Sequence, residues 1–467
     1  MQNRRMRCVS VLLSFALAGL LTLNAQAQKS LSLEQAVALA REQNPEIVMA
    51  RKQIEAARGG VVEARAGSLP SLVSSGLLRR RERQEISRLR NDDYNASLRV
   101  VQNVYSGGAI RAQTKIARLN EEKRELELAA VTNRVLMDLR VAWYELLLNR
   151  AKIGVREQSV GVMEEELKSQ QERFGAGTVG ELNVRRAEVT LANEQPELVD
   201  AQTQLQNSYL RVNELCGVGI STGRSAQRFQ ATGELRYQPQ HPDLSDCLAY
   251  ADASRPEIKS RRLDLEIEDQ QLIIDRAELR PRVEAFTGYE VYSESDPEVG
   301  DEFNHGYVVG LNASWHLFDG FATRGRMQAT RARRAAAAQA LQAAQLSVES
   351  EVRGAFLDLE QADRVLQSET QNVQNASESL EMARGNLGAG LGTQLEVLQA
   401  TSDLTRTRTT RLSAIYLHNA ALARLARACA REPEALAFVP KTDQAAEAKR
   451  QAQLLNMARP PAALSDR

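Results

Sequence analysis

The chain has 467 residues, enough for two or three ordinary domains, and only 4% of them are aromatic. Few aromatic residues, together with abundant Ala, Leu, Gln, Glu and Arg, are typical of long helices and coiled coils rather than of a globular enzyme with a large core. Lys and Arg total 60, as do Asp and Glu, so the formal net charge is zero. This balance argues against general nucleic-acid binding, because nucleic-acid-binding domains are normally basic.

The first 27 residues have the pattern of a cleaved secretory signal peptide. Three arginines lie within 4–7, an apolar run covers 9–23, and an A-x-A cleavage motif lies at 25–27. The apolar run is short for a membrane-spanning helix, which needs about 20 residues. We therefore expect export and removal of 1–27, and no later apolar run is long enough to form a transmembrane helix.

The rest of the sequence is duplicated. Pro45-Glu46-Ile47 recurs as Pro256-Glu257-Ile258 at an offset of 211, and FGAGTVGELNV (174–184) recurs without a gap as LGAGLGTQLEV (387–397) at an offset of 213. Self-similarity of this kind indicates two copies of one structural unit. We expect a first repeat at 28–218, a linker at 219–242, a second repeat at 243–430 and a disordered tail at 431–467.

Three cysteines follow the predicted signal peptide: Cys216, Cys247 and Cys429. Cys216 and Cys429 occupy matched positions in the two repeats, and export permits a disulfide. Free buried cysteine is the more common state, however, and an odd number of cysteines leaves at least one thiol unpaired. The sequence therefore leaves open whether Cys216 and Cys429 pair.

Each repeat is predicted to contain a very long helical hairpin. In the second repeat, apolar or small residues recur in steps of four and three, which is the spacing of a coiled-coil seam. The seam positions, of which only Glu369 is polar, are Val348, Val352, Ala355, Leu359, Ala362, Leu366, Glu369, Val373, Ala376, Leu380, Ala383 and Leu387. No proline occurs from about 320 to 387, so the helix would be about 100 Å long. The glycine phrases are the predicted hairpin tips, at about 174–181 and 387–394, because glycine permits tight reversals.

Alternating sequence predicts two strands in each repeat, at about 72–80, 94–105, 283–292 and 306–317. In the last of these, one face carries Tyr307, Val309, Leu311, Ala313, Trp315 and Leu317, opposite mostly small or polar residues. Lipid-facing strands of an outer-membrane barrel have this pattern and length, with Tyr307 and Trp315 as membrane-interface anchors. A soluble hairpin with one buried face is the alternative, but two copies in an exported chain favour the barrel.

Four strands cannot close a transmembrane barrel, because bacterial barrels start at eight strands and an open edge is not tolerated in lipid. Several chains must then share one barrel, so the protein is predicted to be an obligate symmetric oligomer. The predicted fold class is mostly α with a small β part.

With these features, the chain resembles the TolC-like outer-membrane efflux proteins, or outer membrane factors, over about 30–430. The resemblance rests on the duplicated plan, the Asn44-Pro45-Glu46 helix start, the LFDG junction at 317–320 and the two glycine phrases. It implies a homotrimer in the outer membrane of a Gram-negative bacterium, with duplicated helical hairpins forming a trimeric α-barrel in the periplasm. The four strands of each chain would contribute to a shared twelve-strand transmembrane β-barrel in outer-membrane lipid.

The resemblance also implies a passive exit duct of a tripartite efflux or type I secretion system. Its partners would be a periplasmic membrane-fusion adaptor and an inner-membrane pump of the RND, ABC or MFS type. The tip residues implied to receive the adaptor are Arg173, Gly175, Gly177, Gly388 and Gly390. The implied entrance-gate residues are Leu387, Gly392, Glu396 and Gln399. Only Glu396 keeps the acidic character of the family gate, and the family's tyrosine and arginine contacts have no counterpart, so a closed gate must be held differently.

No catalytic constellation stands out. The four histidines lack metal-ligand spacing, and no P-loop, GxSxG or CxxC motif occurs. We therefore expect no enzyme activity, no metal and no cofactor, and no nucleic acid as partner. A structural or adhesive coiled-coil protein anchored in the outer membrane is the alternative function; a soluble periplasmic adaptor would need domains that the sequence does not show. The arginine run at 79–83 would either contact anionic lipopolysaccharide or form a solvated loop.

Overall fold

The computed structural model describes residues 29–80, 92–219, 229–240, 242–296 and 300–433, which form two similar repeats. The elements of the first repeat are β1 (Lys29–Leu31), α1 (Leu33–Gln43), α2 (Pro45–Ala66), β2 (Ser71–Arg80), β3 (Asp92–Tyr105), α3 (Ala109–Gly175) and α4 (Glu181–Cys216). Those that follow are β4 (Phe229–Ala231), α5 (Leu244–Ser254), α6 (Pro256–Ala277), β5 (Arg282–Asp296), β6 (Gly300–Ser314), α7 (Ala322–Gly388) and α8 (Gln394–Ala428). The predicted signal peptide, the arginines after Arg80 and the tail from 434 lie outside the described residues.

The two longest helices, α3 and α7, contain 67 residues each. At 1.5 Å per residue, both extend for about 100 Å. In α7 the predicted coiled-coil seam is confirmed, since Val352, Leu359 and Leu366 are all at most 5% exposed. Towards the far end of the hairpin the seam continues as Leu380, which packs with Val397 and Leu404 of α8. An apolar contact therefore runs along the whole α7–α8 hairpin.

Each repeat has its main core at the end of its hairpin far from the glycine turn. In the first repeat, α1 packs Ala36 and Ala40 against Trp143 of α3 and Tyr209 of α4. In the second, α5 packs Cys247 and Ala251 against Val352 of α7 and Leu425 of α8. The short helices α1 and α5 thus cover equivalent faces of the two hairpins.

The predicted linker at 219–242 is partly folded. Within it, β4 pairs in parallel with β1, from Lys29 opposite Phe229 to Leu31 opposite Ala231. Phe229 is buried and stacks on Trp143, with ring centroids 6.0 Å apart and planes 3° from parallel. The polar composition of the surrounding segment gives no sign of this core residue.

The predicted disordered tail also begins with ordered residues. The Arg431 guanidinium lies 3.9 Å from the ring centroid of Tyr250. The Glu432 carboxylate pairs with Arg41 of α1 at 3.0 Å and also with Arg140 of α3. The first residues after α8 therefore tie the end of the second repeat to the first.

The four long strands form one antiparallel sheet in the order β2-β3-β5-β6. The hairpins of the two repeats join through β3 and β5, with Leu98 opposite Tyr289, and Tyr289 in turn lies opposite Tyr307 of β6. The strand predicted at 306–317 instead covers Gly300–Ser314, and the one predicted at 283–292 covers Arg282–Asp296. Their polar outer halves were not expected to be strand, but they pair with each other residue by residue as far as Asp296 and Gly300.

The two faces of this sheet differ in chemistry. On one face, large apolar side chains are exposed, among them Leu78 (81%), Tyr307 (93%), Val309 (83%) and Leu311 (72%). The other face carries polar contacts, including a 2.8 Å hydrogen bond between the hydroxyls of Ser75 and Ser97 and an ion pair between Arg99 and Glu290. Exposed apolar surface opposite a polar face is the reverse of the arrangement in a water-soluble sheet.

Candidate functional site

The first glycine phrase forms the turn between α3 and α4. Gly175 is the last residue of α3, and Gly177 has the left-handed φ of +71° that closes many helices. The Thr178 amide and hydroxyl each donate to the carbonyl oxygen of Arg173 at 2.9 Å, which satisfies one of the free carbonyls of the last turn. The whole stretch from 171 to 178 is exposed.

The second glycine phrase forms the equivalent turn between α7 and α8. Gly388 ends α7, Gly390 has a φ of +74°, and the amides of Leu391 and Gly392 donate to the Asn386 carbonyl at 2.8 and 3.1 Å. Both phrases therefore use one closing geometry at matched positions. That geometry requires glycine only at its left-handed residue, which in each turn is the second glycine.

The first glycine of each phrase has no such backbone reason. Gly175 and Gly388 are helical and exposed, and a Cβ atom added to either would meet nothing within 4 Å. The packing of this chain therefore leaves room for at least a methyl group at both positions. The two positions thus mark small, open surface at the end of each hairpin.

The four gate candidates all lie around the second turn, but they do not form a cluster of free polar side chains. Leu387 is half-buried and packs against the cluster of Leu380, Val397 and Leu404. Gly392 is crowded, because a Cβ atom there would lie 3.0 Å from the Asn386 side chain and 3.1 Å from a Glu396 carboxylate oxygen. Both residues therefore have a structural role in closing the turn.

Glu396 belongs to a capping box at the start of α8. Its amide lies 3.4 Å from the Thr393 hydroxyl, and its Oε2 accepts from the Thr393 amide at 3.2 Å. This reciprocal pair satisfies amides that would otherwise lack a partner at the helix start. The carboxylate stays exposed, so Glu396 has a local structural role and still presents a negative charge to solvent.

Gln399 lies one turn further along α8, where its side-chain amide donates to Asp403 at 3.3 Å. Together with Leu395, it lines two neighbouring grooves, one between α7 and α8 and one between α4 and α8. Asp403 also pairs with Arg406 at 2.6 Å. The exposed side of α8 near the turn thus carries mainly polar side chains, with Leu395 as an apolar member.

A buried polar contact between α3 and α8 is a feature that sequence reasoning missed. The Thr405 hydroxyl lies 3.2 Å from the Ser159 hydroxyl, and both residues are buried. Nearer the tip, Glu166 Oε1 accepts from Gln170 of its own helix and from Gln394 of α8, both at 2.8 Å. In the half nearer the tip, the two hairpins of one chain therefore meet through hydroxyls and amides, while each hairpin is held within itself by apolar residues. The serine and threonine residues on the inner side of α8 were the signal in the sequence.

Aromatic side chains gather where the strands meet the helices. Tyr307 lies within β6, while Trp315 follows the last strand residue and donates from Nε1 to the Leu279 carbonyl at 3.1 Å. Phe318 and Phe321 are also exposed and contact each other edge to face at 5.5 Å. These two phenylalanines lie with Trp315 at the helix-strand junction, whereas Tyr307 lies at the middle of β6.

The described residues contain no group of three or more His, Cys, Asp or Glu side chains that could hold a metal ion. Over the same part of the chain, no helix has the length and apolar character needed to cross a bilayer. The site is therefore a set of helix turns, grooves and an exposed sheet face.

Comparison with known protein families gives two matches to one model, described as outer membrane efflux protein, at residues 36–218 and 248–431. The chain belongs to the outer membrane efflux protein family. The two matches coincide with the two repeats, and they confirm the resemblance to TolC-like proteins and the expected outer-membrane localisation. The family name states efflux, which is the function expected from the sequence. None of these similarities favours the structural or adhesive alternative.

Individual relatives of this outer membrane efflux protein are distant. The cobalt-zinc-cadmium resistance protein CzcC of Cupriavidus metallidurans is 20% identical over 294 residues, which cover 63% of this chain and 65%, just under two thirds, of CzcC. The outer membrane protein TolC of Vibrio cholerae is 21% identical over 372 residues, covering 78% of this chain and 83% of TolC. A crystal structure of a membrane protein from Pseudomonas aeruginosa has a TM-score of 0.74 at 18% identity, over 85% of this chain and 92% of that one. This likeness establishes the mostly helical fold with a small sheet.

Proposed function

We propose that this outer membrane efflux protein is the passive exit duct of a tripartite efflux or type I secretion system. It acts as a homotrimer whose long helices form a periplasmic tunnel. Three copies of the four-stranded sheet close one twelve-strand barrel through the outer membrane. A periplasmic adaptor joins the tunnel to an inner-membrane pump of the RND, ABC or MFS type, which supplies the energy.

The observation that carries this proposal is the sheet with its exposed apolar face. Within the described chain, β2 and β6 are the outer strands of the sheet, and each has one side free to pair with another strand. Lipid does not tolerate unpaired strand edges, so β2 of one protomer pairs with β6 of the next until the barrel closes. Tyr307, Val309 and Leu311 then face lipid, while Ser97, Arg99 and Glu290 face the lumen.

The glycine turns at the hairpin tips are the proposed docking points for the adaptor. Gly175 and Gly388 leave open surface that a partner helix can approach closely, and Arg173, Gly177 and Gly390 flank it. A side chain added at either open position would keep the partner away. The packing of this chain does not require glycine at Gly175 or Gly388, and this supports a role of both residues in docking.

The proposed gate is the α7–α8 hairpin, which moves as one unit. Apolar residues such as Leu380 and Val397 hold its two helices together. In the half nearer the tip, its contact with α3 is polar, through Gln394 with Glu166 and Thr405 with Ser159. Hydroxyls and amides can exchange these partners for water at little net change in free energy, because protein and water hydrogen bonds are nearly equivalent. In the trimer, Leu387, Gly392, Glu396 and Gln399 surround the tunnel entrance, and three Glu396 carboxylates attract cations.

Conductance of the purified protein in planar bilayers, together with its mass in detergent, tests the proposal. A duct gives discrete channels and a trimer mass. A monomer or dimer without conductance would support the alternative of an anchored structural or adhesive protein and would overturn the duct. Cargo is selected at the pump, since a wide tunnel makes few close contacts with what passes through it.

A further inference from the structure

A buried contact between the short helix and the last helix of each repeat has different residues in the two repeats. In the first repeat, the pair is Ala36 of α1 and Cys216 at the end of α4, whose thiol lies 3.8 Å from the Ala36 carbonyl oxygen. Cys247 takes the place of Ala36 in the second repeat, at the offset of 211 found for the neighbouring Pro-Glu-Ile motifs. Cys429 takes the place of Cys216 at an offset of 213. The second repeat thus has a cysteine on each side of the contact, where the first has one.

These two cysteines meet inside the core of the second repeat. Cys247 is 2% exposed, Cys429 is 0% exposed, and both belong to the cluster that contains Ala251 and Leu425. They take the places of Ala36 and Cys216, which are in contact in the first repeat, so both side chains lie at the same contact within one core. Cys216 has no second cysteine beside it among the buried residues of its own cluster.

We propose that Cys247 and Cys429 form a disulfide when the chain reaches the envelope. The pairing of Cys216 with Cys429, which the sequence left open, would instead have to join two different cores, since the two cysteines belong to separate clusters. The proposed partners already share one core and one contact. Exported proteins commonly keep such bridges, because the compartment is oxidising.

The oxidant is a protein disulfide of the thiol-disulfide oxidoreductase class. The Cys247 thiolate attacks one sulfur of that disulfide and forms a mixed disulfide, and the other sulfur leaves as a thiolate. The Cys429 thiolate then attacks the Cys247 sulfur and releases the oxidant as a dithiol. The two cysteines lose two protons and two electrons, and the oxidant gains them. The exchange takes place while α5 packs against the end of α8, when the two thiols have met but are not yet covered.

The pKa shifts of the two thiols favour attack on the oxidant by Cys247 before Cys429. Interaction with the Cys429 thiol, together with the nearby Arg431 cation, lowers the pKa of the Cys247 thiol, and the same interaction raises the pKa of Cys429. Cys247 is therefore the first nucleophile. Burial raises the pKa of the Cys216 thiol to about 11, so this thiol is also a poor nucleophile at neutral pH.

The bridge ties α5 to the end of α8 and so closes the whole second repeat at its base. The loop that it closes contains β5, β6 and the α7–α8 hairpin. The first repeat has no equivalent covalent tie at Ala36 and Cys216. This asymmetry is independent of the proposed duct and would exist in any oligomeric state.

Thiol labelling of the exported full-length protein tests the bridge. Cells are quenched with a maleimide, the protein is purified and unfolded with more maleimide, and its peptides are mapped by mass spectrometry. We expect label on Cys216 alone, and a linked pair of peptides carrying Cys247 and Cys429 that is two hydrogen atoms lighter than the separate peptides. Reduction before labelling should then give label on all three residues. Label on Cys247 and Cys429 without reduction, at the level of Cys216, would overturn the proposal, as would a linked pair that includes Cys216.

Two variants complete the test. Cys247→Ala restores the alanine-cysteine pair that the first repeat already accommodates, so it should fold, and Cys429 should become labelled without reduction. Cys216→Ala should leave the bridge intact. Reductant should lower the thermal unfolding midpoint of the unchanged protein and leave that of Cys247→Ala where it is. An equal shift in both proteins would contradict a stabilising bridge.

Discussion

Asn44 and Arg255 occupy matched positions in the two repeats and bind the same place on the last helix of their own repeat. Asn44 Nδ2 donates to the Leu215 carbonyl oxygen at 2.9 Å, and Arg255 Nη1 donates to the Ala428 carbonyl oxygen at 3.2 Å. Asn44 also caps α2 by accepting from the Glu46 and Ile47 amides, whereas Arg255 makes no such cap. Where the first repeat has a helix cap, the second has an ion pair, in which Arg255 contacts Glu351 at 2.6 Å.

Replacing Asn44 should therefore remove two interactions, the cap of α2 and the hydrogen bond to the Leu215 carbonyl oxygen. We expect Asn44→Ala to lower the free energy of unfolding by about 2 kcal/mol, of which about 1 comes from the lost cap and about 1 from the unpaired Leu215 carbonyl. The thermal unfolding midpoint in detergent reports the change. Asn44→Ser keeps a capping oxygen and should lose about half as much; equal losses for the two variants would show that the cap contributes nothing.

Gly217 and Gly177 provide a matched test of backbone strain and close packing. Both have a φ of +71°, but a Cβ atom at Gly217 would lie 2.3 Å from the Gln43 carbonyl oxygen, while one at Gly177 would meet nothing within 4 Å. Gly177→Ala should cost about 1 kcal/mol, from strain alone. Gly217→Ala should cost at least about 3 kcal/mol, because the backbone beside Asn44 must move. Comparison of expression level and unfolding midpoint checks this ranking, and a tolerated Gly217→Ala would contradict the close approach.

Gly175→Ala and Gly388→Ala should separate folding from docking. Both residues are helical, so alanine should stabilise the chain by about 0.5 kcal/mol or more. If the adaptor docks at these surfaces, efflux in intact cells should fall while conductance in bilayers stays unchanged. Cross-linking to the adaptor measures the docking directly. Normal efflux with both alanines in place would show that the partner binds elsewhere.

Substitutions of Glu396 distinguish its charge from its role in the capping box. Glu396→Gln keeps a side-chain acceptor for the Thr393 amide, so stability should change by only about 0.5 kcal/mol. The same change removes three charges from the entrance of a trimer, and cation selectivity, measured as the reversal potential in a salt gradient, should fall.

Glu396→Ala is the complementary variant. It removes both the charge and the acceptor, so it should give the same loss of selectivity and an additional cost of about 1 kcal/mol. Unchanged selectivity in both variants would exclude Glu396 from the entrance.

Neighbouring valines in β6 test which face of the sheet meets lipid. Val309 is 83% exposed on the apolar face, and Val308 is half-buried on the other. Val309→Arg should destabilise the inserted protein by about 2 kcal/mol, less than the cost of arginine at the bilayer centre, because Val309 lies two residues from the predicted interface anchor Tyr307. Val308→Arg points into the lumen, so it should insert normally and lower conductance. The yield of heat-resistant trimer in membranes measures insertion, and the opposite ranking would invert the assigned faces.

The large features were predictable because each follows from a repeating pattern. The seam of α7 follows from apolar residues in steps of four and three, and Val352 is buried as predicted. The apolar face of β6 follows from the alternation of apolar and polar residues, and Val309 lies on that face as predicted. Strand ends were less predictable. The outer halves of β5 and β6 are polar, and their pairing as far as Asp296 and Gly300 depends on the partner strand rather than on local composition.

Contacts between distant segments could not be predicted from one sequence. Phe229 lies in a polar stretch, and only the fold brings it against Trp143. The pairing of Glu166 with Gln394 joins residues 228 positions apart, and nothing local to either residue indicates it. The matched offset of Cys216 and Cys429 left their pairing open, and the structure places them in separate cores, because an offset relates equivalent places in two repeats, whereas a contact joins different places within one repeat.

The stacking of Phe229 on Trp143 has a consequence for the order in which the chain folds. A protein exported from its N-terminus emerges with α3 and α4 complete before the strand β4 appears. The core of the first repeat lacks one aromatic ring, and β1 lacks its pairing strand, until residue 231 has left the translocon. The core of the first repeat is therefore incomplete until β4, which lies in the segment between the two repeats, has been translocated.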